Sequence, residues 1–263
     1  MMDQTLLDFL PLWGLCIVIL AGTLTTTELG YRLGRYLRQK SEAEKEGPTG
    51  TVVGATLGLL AFLLAFTFGM AANRFDTRRE VFQKEVNAIG TAYLRTSFLP
   101  HENAENARHR FRTYVDHRLK IQTDDAILME LIRDCEKLHE QLWADAVAVG
   151  RQSPDSEMTA LYVAALNDVI DLHSDRVTAG LRGRIPLTIW GALYLITFIS
   201  MGGMGYQAGL SGTVRSLVGP AMVLCFVIIM MLIADLDRPR EGLLKVNHQA
   251  MIDLRQSMNA KAP

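Results

Sequence analysis

The side chains best suited to chemistry in this 263-residue chain are its histidines, cysteines and clustered aspartates. His173 has Asp168, Asp171 and Asp175 close by in sequence. Asp171 and Asp175 are one helical turn apart, as two metal ligands on one helix would be, but a metal site needs further ligands from elsewhere. No second cluster supplies them, so no metal is expected. His173 also sits on the apolar stripe Leu166, Val169, Val177. His109 and His117, eight apart, share one helix face and suit solvent or an interface. His139-Glu140 is not a zinc-protease motif, because no histidine follows Glu140 by three residues. Cys16, Cys135 and Cys225 lie far apart, with neither zinc-ligand nor disulfide-framework spacing. There is no glycine-rich phosphate loop, nucleophile elbow or paired acid–base motif. The expectation is a protein with no catalytic residues and no cofactor, rather than an enzyme.

The elements that carry these residues point elsewhere. Hydrophobic residues make up 49% of the chain and charged residues 21%, which fits mass divided between lipid and water. A formal net charge of −1 gives no global basic field, so nucleic acid is not an expected partner. A helix crossing about 30 Å of hydrocarbon needs about 20 apolar residues. Four stretches qualify: 10–27, 52–72, 186–206 and 217–234, each without an interior charge. The start, MMDQTLLDFL, lacks the basic residues of a secretory signal, so the first stretch is read as retained.

Between the second and third stretches lie about 110 charge-rich residues with apolar side chains at helical spacing. Phe75, Phe82 and Ile89 recur every seven residues, with Val86 and Tyr93 between turns. Leu128, Leu131, Cys135, Leu138 and Leu142 make a second stripe. These patterns predict helices over 74–98, 103–121, 125–149 and 156–182, with breaks at Leu99-Pro100, Thr123-Asp124 and Gly150 to Pro154. The expected fold is an all-α membrane protein, with four transmembrane helices and a helical cytosolic domain between the second and third. The divisions are 1–72, 73–185, 186–234 and a cytosolic tail over 235–263.

Twelve basic residues flank the domain and tail, among them Arg74, Arg78, Arg79, Arg182, Arg184 and Arg238. They outnumber the five in the loop from Gly30 to Gly50, which include Arg32, Arg35 and Lys45. The positive-inside rule then places the domain and both termini in the cytoplasm. A first segment that lies on the membrane would remove the competition from the basic loop. Asp235 and Asp237 close the fourth stretch, where pairing with Arg74, Arg78 or Arg184 is the expected role and metal binding the minor alternative.

The second stretch carries the most specific pattern. Gly54, Gly58, Ala61, Ala65, Gly69 and Ala72 fall at steps of three and four, a small-residue face on which helices can pack closely. Leu59, Phe62, Leu63 and Phe66 lie beside it. They either face lipid or point at a common axis, where rings of them would make a hydrophobic constriction.

The run LLAFTFGMAANRFDTRREVFQKEVNAIGTAYLR, with LNDVIDLHSDR (166–176) and DLDRPREGLLKV (235–246), resembles the bestrophin-like family of bacterial membrane proteins. Over about 59–90 it is also similar, more distantly, to the bestrophin channels, with Phe66, Arg74, Phe75, Arg79 and Phe82 at matching spacing. The acidic run that clasps calcium in some bestrophins is absent; only Asp235, Asp237 and Glu241 follow the fourth stretch. The resemblance implies a homopentamer in a bacterial inner membrane, conducting inorganic ions, with a lean to anions such as chloride. It makes Leu59, Phe62, Leu63 and Phe66 the pore neck, and Arg74 and Arg79 interface or vestibule residues. A non-conducting membrane scaffold, whose helical domain docks a cytosolic partner, is the rival reading.

Overall fold

The computed structural model describes residues 11–40, 48–121, 127–181, 183–212, 218–238 and 242–260. The described residues form eight α-helices and one short 3₁₀ turn, and no strand occurs among them. The helices are α1 (Leu12–Lys40), α2 (Thr49–Arg95), α3 (His101–Lys120), α4 (Leu128–Gln152), α5 (Glu157–Leu181), α6 (Leu187–Ser211), α7 (Val218–Asp237) and α8 (Gln249–Ala260). They fall into two compact units, one within residues 1–75 and 183–245, the other within 76–182 and 246–263. The 47-residue α2 runs unbroken through both stretches of sequence, with no proline to interrupt it.

In the first unit, α1, α2, α6 and α7 are each long and apolar enough to cross a membrane. Their core gathers Leu15, Ile19, Leu60, Leu64, Trp190, Leu193, Met201, Val227 and Met230. The closest helix pair is α1 with α6, where two GxxxG motifs meet: Gly30 and Gly34 on α1, Gly205 and Gly209 on α6. A Cβ on Gly30 would stand 2.0 Å from the Gly202 carbonyl oxygen, and one on Gly205 2.0 Å from that of Thr27. No side chain fits at either place. α6 ends at Gly212, whose φ of 64° is the left-handed cap that a helix C-terminus favours.

One expectation changes here. The sequence predicts a loop from Gly30, but α1 continues to Lys40. Gly30 and Gly34 do not break the helix; they are where the backbone of α6 approaches it. The expected break at Thr123-Asp124 lies outside the described residues. In the second unit, α4 runs through Gly150 and stops only ahead of Pro154, which restricts the residue before it. The Leu99-Pro100 break stands as expected: Leu99 is extended and α3 starts after Pro100.

The second unit packs the long-period stripes on one another. Phe82, Val86 and Ile89 of α2 meet Phe111, Tyr114 and Val115 of α3, Cys135 and Leu142 of α4, and Leu166 and Val169 of α5. The sequence reading placed no element in the tail, yet α8 belongs to this core. Met251 and Met258 are buried in it. The Tyr93 hydroxyl donates to the Met258 carbonyl at 3.1 Å. Arg255 makes a two-pronged contact with Asp116, at 2.6 and 3.0 Å.

Candidate functional site

The membrane stretch of α2 has three faces. At about 100° per residue, Val53, Leu60, Leu64, Thr67 and Ala71 fall on one line, and all are buried against the chain's own helices. Thr67 satisfies its hydroxyl on the Leu63 carbonyl at 2.7 Å, so a polar group can lie on that line. Gly54, Gly58, Ala61, Ala65 and Gly69 make a second face about a third of a turn away, and all are exposed. A Cβ added to Gly54, Gly58 or Gly69 would meet nothing within 4 Å. Leu59, Phe62 and Phe66 make the third face, 51%, 67% and 62% exposed. Leu63 lies half-buried at its edge. Two of the three faces of this helix are therefore left uncovered by the described residues.

Asp235 and Asp237 at the end of α7 are both buried. Each holds backbone. Asp237 Oδ1 accepts the Ile185 amide at 2.8 Å, tying the segment before α6 to α7. Asp235 accepts the Leu243 amide at 2.8 Å and the Leu244 amide at 3.1 Å. Gly242, at φ 101°, brings the chain so close that a Cβ there would sit 1.6 Å from Asp235 Oδ1. Arg74 is half-buried and Arg79 exposed. The structure gathers no group of three or more metal-ligating side chains among the described residues. Asp168 and Asp175 are exposed, and Asp171 accepts an amide hydrogen from Asn167 at 2.8 Å, while His173 turns inward.

His173 turns toward a polar centre in the second unit that sequence reasoning missed. Glu85 of α2 is 0% exposed. Arg118 of α3 meets its carboxylate with Nε at 2.9 Å and Nη2 at 3.0 Å, and Arg176 of α5 brings Nε to 3.3 Å. Tyr114 donates its hydroxyl to Glu85 Oε1 at 2.9 Å and lies 3.1 Å from His173 Nδ1. Tyr114 has one proton and a carboxylate can only accept, so His173 Nδ1 carries the hydrogen and its Nε2 is the acceptor. The His139 ring stacks at a tilt on Tyr114 and edge-on to His173, with centroids 4.7 and 4.9 Å away. Arg176 also lies over the Phe82 ring, 4.4 Å from its centroid, and His248 packs edge-on to Phe82 at 5.1 Å.

This environment sets the charge states. Burial lowers His139 to about 4, with Glu85 opposing and Arg118 adding to the shift. Burial and then Arg118, His139 and Arg176 lower His173 to about 3. Burial, Arg176 and Arg118 lower His248 to about 4. Burial raises the Cys135 thiol to about 12 and Tyr114 well above its usual range. Burial lowers Arg176 to about 10 against the pull of Glu85. For Arg118 burial also pushes down, but the Glu85 carboxylate outweighs it and the group stays protonated. The signal for this centre was present in the sequence: Glu85 interrupts the apolar line of Phe82 and Ile89, three and four residues away.

Four apolar helices of spanning length define the class: an all-helical integral membrane protein. The Bestrophin-like domain model matches residues 18–251, and the chain belongs to that family. Its fold is similar to a crystal structure of a bacterial bestrophin homologue from Klebsiella pneumoniae, with TM-score 0.66 at 14% identity, covering 93% of this chain and 100% of that one. A point mutant of that homologue gives TM-score 0.71 at 12% identity, covering 93% and 97%. At such identities the likeness is one of fold. Comparison with curated proteins returns no match.

Proposed function

We propose that the protein is an oligomeric, bestrophin-like ion channel, conducting anions through a hydrophobic neck lined by α2. The observation that carries this reading is the exposed Leu59–Phe62–Phe66 face of α2 beside an equally uncovered small-residue face. A single helix with two such faces suits a ring of copies. Gly54, Gly58, Ala61 and Ala65 then take a neighbouring helix, and Leu59, Phe62, Leu63 and Phe66 point at the axis. Apolar rings of this kind gate by wetting and drying. Five copies is the number the family resemblance favours, with the second unit, Arg74, Arg79 and both termini on the cytoplasmic side of a bacterial inner membrane. The lean to anions rests on that resemblance, with Arg74 and Arg79 just beyond the neck.

The test is the protein mass of the detergent-solubilised complex, followed by flux through liposomes. A mass near five chains and an anion flux that rises in Phe62→Ala/Phe66→Ala supports the pore. A monomer or dimer, or a flux indifferent to those changes in a correctly assembled protein, overturns it and favours a membrane scaffold.

A further inference from the structure

We propose that the polar centre of the second unit is an acid-sensitive latch, in which protonation of His139, His173 and His248 loosens the packing of α2–α5 and α8. The inference goes beyond ion conduction and does not depend on it. The groups that face these rings are Glu85 from α2, Tyr114 and Arg118 from α3, Cys135 from α4 and Arg176 from α5. Two guanidinium groups thus share one carboxylate before any histidine takes a proton. His139 Nε2 and His173 Nε2 are buried without a hydrogen-bond partner, as is His248 Nδ1. A proton added at any of these three atoms finds no acceptor among the described residues. Protonation at His173 Nε2 makes an imidazolium whose Nδ1–H already serves Tyr114, so the new charge faces Arg118 and Arg176 uncompensated. His248 immediately precedes α8 and accepts the amides of Met251 and Ile252 on its carbonyl, so its ring is tied to the entry of that helix.

The direction follows from linkage. The folded unit holds the rings neutral at about 4, 3 and 4, whereas an opened chain returns them to 6.5. The opened chain therefore takes up protons first, and stability is lost progressively as pH falls below 6.5 toward 4. Each histidine favours the open form about 30-fold more at pH 5 than at pH 7.5.

Cys135 is buried in this core and reports opening. In the full-length protein carrying Cys16→Ser and Cys225→Ser, its reaction with 4,4′-dithiodipyridine, which works in acid, is measured against the denatured protein at each pH. The expected result is a normalised rate that rises from pH 7.5 to pH 5 by about 30-fold for each histidine that opening exposes, so that His139→Gln and His173→Gln each lower the rise by about 30-fold. Should either core variant be open already at pH 7.5, His248→Gln, at the half-buried edge of the cluster, decides. A rise below about tenfold, or one unchanged in every histidine variant that stays closed at neutral pH, overturns the proposal.

Discussion

Glu85 of α2 ties two further helices to its own, because side chains from α3 and α5 both reach it. Arg118, Arg176 and Tyr114 all end on the same carboxylate. Removing one member of a buried ion pair leaves the other uncompensated, at a cost of about 3–5 kcal/mol. Glu85→Gln should lower unfolding stability by that amount. Arg176→Gln should cost less, since Arg118 still pairs the carboxylate and burial already disfavours the Arg176 charge. Denaturant unfolding of the purified protein, followed through Trp143 of α4, measures both. Equal losses would mean that Arg118 alone does not compensate the carboxylate. In the sequence Glu85 stands out only as a charge on an apolar line. Its partners stand 29, 33 and 91 residues away and are brought in by packing that no local pattern encodes.

At the scale of the element, α1 and α6 hold together by backbone proximity. Gly205→Val would place a branched side chain where a Cβ already meets the Thr27 carbonyl oxygen at 2.0 Å. The helices must separate, and overpacking of this kind costs about 1–3 kcal/mol. A lowered melting temperature in detergent is expected, while Gly191→Ala on the same helix, where a Cβ meets nothing within 4 Å, should melt like the parent. A parental melting temperature for Gly205→Val would show that the pair tolerates bulk. The four apolar stretches and α3 to α5 were legible because long runs and 3.6-residue periods are strong signals. The extension of α1 was not, because Gly30 and Gly34 read locally as breakers and only the facing Gly205 and Gly209 give them a packing role. α8 was missed because twelve residues with two buried methionines seven apart make a short, weak stripe.

At the scale of the whole molecule, assembly is the property on which the proposed pore stands. Gly58→Leu puts bulk at a position where an added Cβ meets nothing within 4 Å among the described residues. The chain should fold normally and fail to associate, so the mass of the complex should fall while helix content holds. A parental mass from this variant would remove the small-residue face from the interface. The sequence pattern of that face was visible at once; what it could not reveal was that the chain's own helices leave the face open. That follows from Val53, Leu60 and Leu64 taking the opposite side of α2.

The position of α8 has a consequence for synthesis. The core it completes begins in α2, but Met251 and Met258 emerge from the ribosome only after α6 and α7 have been made. Throughout that interval α2 and α3 wait with the surface that α8 will cover still open, while the last two apolar helices are made. The second unit is thus closed last, and the nascent chain depends over that period on whatever shields an open apolar surface.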